Sequence, residues 1–130
     1  MSKKYILDSD ILIYFLKGEK EVIKKVLSLQ NDELYITIIN YTELLYGIYN
    51  SNKISQNKEK ILSFLDNFKI LQFDKNASEI FAKLKAKLKK QGKIIADMDL
   101  MIASIAISNK AILYTNNLKH FNRIDGLKIL

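Results

Sequence analysis

Short apolar runs that end at polar residues recur along the chain and predict five strands. The first run is Tyr5–Leu7, which Asp8 ends, and the second is Leu34–Ile36. The remaining three are Lys69–Phe73, Ala111–Tyr114 and Leu127–Leu130. Short apolar runs bounded by polar or turn residues are typical of strands that lie inside a protein.

Between these runs, apolar residues recur at the three- to four-residue spacing of helices. Gly18 separates the first two helices, and Asn76 with Glu79 resembles a capping box at the start of a long helix that Gly92 ends. Leu100–Ile107 is apolar on nearly all sides and predicts a buried helix. The predicted helices are Asp10–Leu16, Glu19–Leu29, Ile39–Tyr49, Lys58–Phe68, Ala77–Gln91 and Leu100–Ile107, with a loop at Asn50–Asn57.

Strands that alternate with helices predict an α/β fold with a mostly parallel sheet covered on both faces. The length of 130 residues favours a single domain over residues 1–130. No apolar run reaches the roughly 18 residues that a membrane span needs. The first residues, MSKKYILDSD, do not resemble a signal peptide. We therefore expect a cytoplasmic protein with no membrane association.

The amino-acid composition limits which kinds of metal site and binding partner the protein can have. The chain has no cysteine, which excludes disulfides and thiolate metal sites. Lysine and arginine number 21 against 14 acidic residues, a net charge of +7. Such a charge favours binding to a polyanion such as nucleic acid, although a lysine-rich genome would also produce it.

Acidic and amide side chains follow the predicted strands or begin the helices after them. Asp8 follows the first strand, Glu43 lies early in the third helix, Asp99 begins the buried helix, and Asn117 follows the strand Ala111–Tyr114. Ligands of open parallel sheets bind beyond the carboxyl ends of the strands. We expect these side chains to share one crevice, where a cation such as Mg²⁺ or Mn²⁺ would offset their repulsion.

Each of these residues also has an ordinary structural explanation. Asp8 and Asp97 are natural helix N-caps, and Asp99 would interact well with a helix dipole. Glu43 could be a solvated surface residue and Asn117 a turn former. These explanations leave open why polar side chains occur at every crossing of the same sheet edge.

The sequence resembles the PIN-domain family, and within it the VapC-type toxins of toxin–antitoxin pairs. Four motifs carry the resemblance, in order and spacing, across essentially the whole chain. They are Tyr5–Asp10 (YILDSD), Thr42–Gly47 (TELLYG), Asp99–Ala103 (DLMIA) and Thr115–Phe121 (TNNLKHF).

The resemblance implies a three-layer α/β/α sandwich and a Mg²⁺-dependent endoribonuclease that works as a homodimer. It also implies an antitoxin protein as partner. The family's acids map to Asp8, Glu43 and Asp99, which would hold the metal. Its fourth position maps to Asn117, a departure because that residue is often Asp. The residues expected to support the site are Ser9, Asp10, Asp97, Thr115 and Asn116.

Two further assignments concern the basic residues. Lysines crowd the end of the long helix, and we expect RNA contact from Lys83, Lys87, Lys90 and Lys93, although a solvated helix face explains them equally well. His120, the only histidine, is expected to pack beside Phe121 and not to take part in catalysis.

Three other functions are open to this sequence. A receiver domain would use Asp74 as its phosphate acceptor, but no lysine follows the late strand, which ends in Thr115–Asn117. An RNA-binding module without catalysis is compatible with the weakened fourth position. A PIN-domain nuclease that processes RNA without a toxin role would carry the same motifs.

Overall fold

A computed structural model of the chain describes residues 2–52 and 54–130. Its strands are β1 (Lys4–Leu7), β2 (Glu33–Thr37), β3 (Lys69–Leu71), β4 (Ile112–Tyr114) and β5 (Lys128–Ile129). They form a single sheet in the order β3-β2-β1-β4-β5, and every neighbouring pair is parallel. All five predicted strands are confirmed.

Helices cover both faces of the sheet. They are α1 (Ser9–Leu16), α2 (Lys20–Ser28), α3 (Ile38–Tyr49), α4 (Ile54–Leu65), α5 (Lys75–Lys90), α6 (Asp97–Ser108) and α7 (Leu118–Phe121). Helices α1 to α4 supply one apolar core, and α5, α6 and α7 supply most of the helical residues of the other. The predicted three-layer α/β/α sandwich is therefore confirmed.

Successive residues of a strand point to opposite faces, so each central strand contributes to both cores. Ile6 and Leu7 are almost completely buried and belong to different cores. Tyr35 and Ile36 divide in the same way. Burial on both faces explains why these strands lack alternating polar residues.

Helix α6 is also buried as predicted, since Leu100, Ile102, Ala103, Ile105 and Ala106 are all inaccessible to solvent.

The direction of strand addition reverses at β1. The chain first adds β2 and β3 on one side of β1, and then β4 and β5 on the other. Leu7 lies opposite Tyr114 in the pairing of β1 with β4, and the Asp8 amide donates to the Tyr114 carbonyl oxygen at 3.0 Å. This reversal leaves a crevice at the carboxyl ends of β1 and β4, where such folds bind ligands.

Helices α4, α5 and α6 begin at least two residues earlier than the sequence predicts. Helix α4 begins at Ile54, so the loop predicted at Asn50–Asn57 is wrong over its second half; Lys53 lies outside the described residues. The first turns of α4 are mostly polar in sequence, so they lack the regular apolar spacing by which the prediction recognised helices. Among residues 2–52 and 54–130, no helix is long and apolar enough to cross a lipid bilayer.

Helix α5 is capped by Asp74, and not by the predicted box of Asn76 and Glu79. The Asp74 carboxylate accepts a hydrogen bond from the Ala77 amide at 2.9 Å. Asn76 instead donates to the Ser108 hydroxyl on α6, and Glu79 pairs with Lys83 on the exposed face. The helix thus begins earlier because β3 ends at Leu71, leaving Asp74 in extended conformation at the cap position.

We expect Asp74→Ala to lower the free energy of unfolding by about 1 kcal/mol, since the Ala77 amide loses its acceptor. Glu79→Ala should change it by less than about 0.5 kcal/mol, because an exposed ion pair contributes little. Urea unfolding followed by circular dichroism measures both variants. Equal losses would contradict the assignment of Asp74 as the cap.

Candidate functional site

A pocket of about 450 Å³ lies over the crevice between β1 and β4. We call it the acidic pocket. Its polar lining residues are Asp8, Ser9, Asp10, Glu43, Asp99, Asn116 and Asn117, and Ile13 and Tyr14 complete the wall. The fold therefore brings together the four residues that sequence reasoning placed in the catalytic set, along with three of the five supporting ones.

Asp8 lies at the bottom of this site and is only 6% exposed. Its Oδ1 accepts from the Ser9 amide at 2.9 Å, so the carboxylate also caps α1. Its Oδ2 accepts from the Thr115 hydroxyl at 2.7 Å, which explains the place of Thr115 beneath the pocket. The capping explanation of Asp8 is therefore confirmed, and the same carboxylate also lines the acidic pocket.

Sequence reasoning missed Asn40, which is completely buried beside Asp8. Its amide nitrogen lies 3.1 Å from Asp8 Oδ1 and 3.0 Å from the Ser9 hydroxyl, and that hydroxyl donates to Glu43 Oε1 at 2.8 Å. Its amide oxygen accepts from the Thr37 backbone in a capping box at the start of α3. The spacing of Thr37 and Asn40 is the signal that could have revealed it.

Burial raises the pKa of the Asp8 carboxyl to about 6, against the hydrogen bond from Thr115, and the charges of Asp10 and Glu43 raise it further. Burial is also the main cause that raises the pKa of Asp10, and the charge of Asp99 adds to it. The pKa of Glu43 is raised for the same reasons, by burial first and then by Asp99 and Asp10. These carboxylates therefore repel one another across one poorly hydrated space.

Asp10 is held in the pocket by backbone donors. The Ile11 amide donates to its Oδ1 at 2.7 Å, and the Asn116 amide donates to its Oδ2 at 3.0 Å. The second of these bonds ties the start of α1 to the segment after β4. Asp10 thus adds a fourth carboxylate, while the Asn116 backbone, and not its side chain, makes this contact.

Asp99 reaches the pocket from the first turn of α6, and its side chain is 18% exposed. Its Oδ2 lies 3.0 Å from His120 Nδ1, and the same ring nitrogen lies 3.0 Å from Asn117 Nδ2. The expectation that His120 merely packs beside Phe121 is therefore wrong. Phe121 is fully buried, and the side chain of the preceding residue, His120, points in a different direction, towards Asp99.

Asp97 does not line the acidic pocket. Ala96 is the N-cap of α6, so the predicted capping role of Asp97 is wrong, and its Oδ1 instead lies 2.9 Å from Lys85 Nζ on the surface. Residues two apart on a helix differ in direction by about 200°. Because Asp99 faces the pocket, Asp97 must face away from it.

The lysines predicted to bind RNA lie on more than one surface. Lys83 pairs with Glu79 at 3.5 Å, and Lys87 pairs with Asp125 at 2.9 Å. Lys90 is exposed, and Lys93 borders a separate cavity of about 380 Å³ together with Lys85 and Lys89. Exposed ion pairs are weak, so the partners of Lys83 and Lys87 hold these two side chains only loosely.

The donor chemistry of the acidic pocket fits Mg²⁺ or Mn²⁺, since both metals prefer carboxylate and other oxygen ligands. The mutual repulsion of Asp8, Asp10 and Glu43 is the cost that a divalent cation would remove. Within residues 2–52 and 54–130, however, no three acidic or imidazole groups already stand in a metal-binding arrangement. The side chains share a pocket without converging on one point.

Comparison with known proteins agrees with the fold and the motifs. The sequence model of the PIN-domain family matches residues 5–127 of this chain. This chain belongs to the PIN-domain family.

Its relatives include a Rickettsia felis protein described as Ribonuclease VapC2, 36% identical over 125 residues that cover 95% of this chain and 93% of that protein. A Shigella flexneri protein described as a tRNA(fMet)-specific endonuclease VapC is 30% identical over 125 residues, which cover 96% of this chain and 95% of that protein. In the crystal structure of VapBC2 from Rickettsia felis bound to a promoter DNA fragment, one chain matches with a TM-score of 0.92 and 34% identity, over 98% of this chain and 97% of that one.

The raised pKa of Asp8 makes the stability of this PIN domain depend on pH. The pKa of Asp8 is about 6 in the folded protein and 3.8 in the unfolded chain. Between pH 3.8 and about pH 6, the folded state therefore keeps a proton that the unfolded chain has lost. Without divalent cations, stability conferred by the protonated carboxyl is therefore lost as pH rises through about 6.

We expect Asp8→Asn to be more stable than the unsubstituted protein at pH 7. The amide oxygen keeps the bonds from Ser9 and Asn40, the amide nitrogen can donate to the Thr115 hydroxyl, and the buried charge is removed. The difference between the two should grow by about 2 kcal/mol from pH 4 to pH 7. Urea unfolding in EDTA at several pH values measures it. A difference that does not change with pH would show that the carboxyl titrates normally.

Proposed function

We propose that this PIN domain, spanning residues 1–130, is a metal-dependent endoribonuclease that hydrolyses RNA phosphodiester bonds. The observation that carries the proposal is the meeting of Asp8, Glu43 and Asp99 in one pocket at the sheet edge. The ribonuclease descriptions of relatives that match almost the whole chain support the same activity.

Asp8, Glu43 and Asp99 would hold Mg²⁺, or Mn²⁺ in its place, directly or through water. The metal, when bound, supplies an activated water and stabilises negative charge on the phosphoryl oxygens. The neighbouring side chains keep these acids in place. Ser9 and Asn40 orient Glu43 and Asp8, and Thr115 fixes the second oxygen of Asp8.

RNA would approach this pocket across a protein that carries a net charge of +7. We assign the substrate contacts to Lys83, Lys87, Lys90 and Lys93, whose charges lie outside the pocket and are exposed to solvent. The description of the Shigella flexneri relative makes transfer RNA the first substrate to test. We propose the cytoplasm as the location of the activity, because a transfer RNA substrate would be met there.

We further propose that the protein is the toxin of a toxin–antitoxin pair and that it forms a homodimer. The structural match to a chain of VapBC2 supports a protein partner. The acidic pocket fits a basic segment of an antitoxin, because an arginine could neutralise the carboxylates that repel one another. Exposed side chains such as Tyr46, Tyr49 and Ile94 offer apolar surface for a second copy.

A second candidate, RNA binding without catalysis, is favoured by one observation. Asn117 occupies the position where an acid would add a further negative charge to the pocket. A protein that binds RNA but never cuts it in Mg²⁺ or Mn²⁺ would support that function. Activity against RNA without growth arrest would instead favour a processing nuclease with no toxin role.

We expect Asp8→Asn and Asp99→Asn to reduce the rate of RNA cleavage by about 100-fold or more, because each removes a negative oxygen ligand of the metal. Gel analysis of transfer RNA incubated with the purified proteins in Mg²⁺ measures the rate. Glu43→Gln should lose activity in the same way and should also weaken Mn²⁺ binding in calorimetry.

Asp97→Asn is the matched control, since it removes an acid from the same turn of α6 that faces Lys85 and not the pocket. It should keep its activity within about threefold of the unsubstituted protein. Circular dichroism confirms that the variants are folded. Equal activity in Asp99→Asn and Asp97→Asn would refute the assignment of the site.

A further inference from the structure

We infer that His120 is a positioning residue, which holds Asp99 and Asn117 in the orientation that the acidic pocket needs to bind a divalent cation. The inference rests on the proposed function, since it assumes a metal at this site. It starts from one atom, His120 Nδ1, which lies 3.0 Å from both Asp99 Oδ2 and Asn117 Nδ2.

A single ring nitrogen cannot donate a hydrogen bond and accept one at the same time. The ionised Asp99 carboxylate only accepts, so Nδ1 must carry a proton towards it. Both the neutral Nδ1–H tautomer and the imidazolium ion satisfy this condition, and the contact does not depend on the net charge of the ring. Asn117 can then meet the same N–H only with its amide oxygen turned towards His120.

This orientation changes the role of Asn117. Its amide oxygen faces His120 and leaves the amide nitrogen, a donor that cannot bind a cation, as its other polar atom. Asn117 therefore does not replace the acid expected at the fourth position as a metal ligand. The substitution is compensated through His120, which holds Asp99 Oδ2 and leaves Oδ1 as the free carboxylate oxygen for the pocket.

His120 also connects the two ends of the site. The backbone amide of Asn117 donates to the Thr115 hydroxyl at 3.0 Å, and that hydroxyl donates to Asp8 Oδ2 at 2.7 Å. Asp99 is thereby joined to Asp8 through His120, Asn117 and Thr115. The fully buried Phe121 anchors the short helix α7 beside these bonds, and this holds the backbone of His120 in place.

The test replaces His120 with residues that keep one or the other ring nitrogen. In His120→Asn the amide nitrogen is bonded to Cγ, as Nδ1 is, and can reach Asp99. In His120→Gln the amide nitrogen stands near the position of Nε2, one atom further from the backbone. His120→Ala removes both. The readout is the dissociation constant for Mn²⁺ at pH 7.5, measured by the electron paramagnetic resonance signal of the free ion.

We expect His120→Ala and His120→Gln to weaken Mn²⁺ binding by about 10-fold or more, as loss of a group that orients a metal ligand does. His120→Asn should stay within about threefold of the unsubstituted protein. Lys119→Ala, an exposed neighbour on the same short helix, should also bind Mn²⁺ normally. Thermal unfolding in EDTA is measured for all four variants.

Normal Mn²⁺ binding by His120→Ala would overturn the inference, and so would equal weakening in His120→Asn, His120→Gln and His120→Ala. In either case the loss of Mn²⁺ binding and RNA cleavage in Asp99→Asn would leave the proposed function standing. If the unsubstituted protein neither binds Mn²⁺ nor cuts RNA, both the proposed function and the role of His120 fail.

Discussion

The carboxylate of Asp8 is the group around which the site is built. Its burial removes water from a charge, and its pKa of about 6 shows that the hydrogen bonds to Ser9, Asn40 and Thr115 only partly replace that water. Those donors come from the start of α1, the start of α3 and the end of β4. The folded chain therefore bears a local electrostatic cost at the junction of three segments.

The parallel sheet makes this junction unavoidable. Because β1 is flanked by β2 and β4, the residues that follow all three strands emerge at the same edge. A helix that begins there turns its amide groups towards the pocket, which favours negative charge. Asp10 shows the effect in part, since the Ile11 amide at the start of α1 holds one of its oxygens, while the Asn116 amide, in the segment after β4, holds the other. The backbone thus offsets part of the repulsion that the acids create.

The sequence was most informative where burial on both faces left strong patterns. All five strands, the buried helix α6 and the approach of Asp8, Glu43, Asp99 and Asn117 could be predicted, because topology alone brings the ends of parallel strands together. Contacts between side chains could not. The spacing of Thr37 and Asn40 signals a capping box but does not show that the Asn40 amide nitrogen reaches Asp8, and no spacing places His120 beside Asp99. The predicted capping role of Asp97 failed because α6 begins at Asp97 itself, with Ala96 as its N-cap.

The same electrostatics bear on how RNA could enter the site. An acidic pocket repels phosphate, while a net charge of +7 attracts it to the rest of the surface. Lys85 and Lys87 are paired with Asp97 and Asp125 at exposed positions, where such pairs are weak and exchangeable. On the proposed function, the surface lysines would attract RNA to the protein, and the pocket would admit a phosphate only once a cation reverses the local charge. Metal binding and substrate binding would then be coupled, because the cation that relieves the acids also removes the barrier to the phosphate.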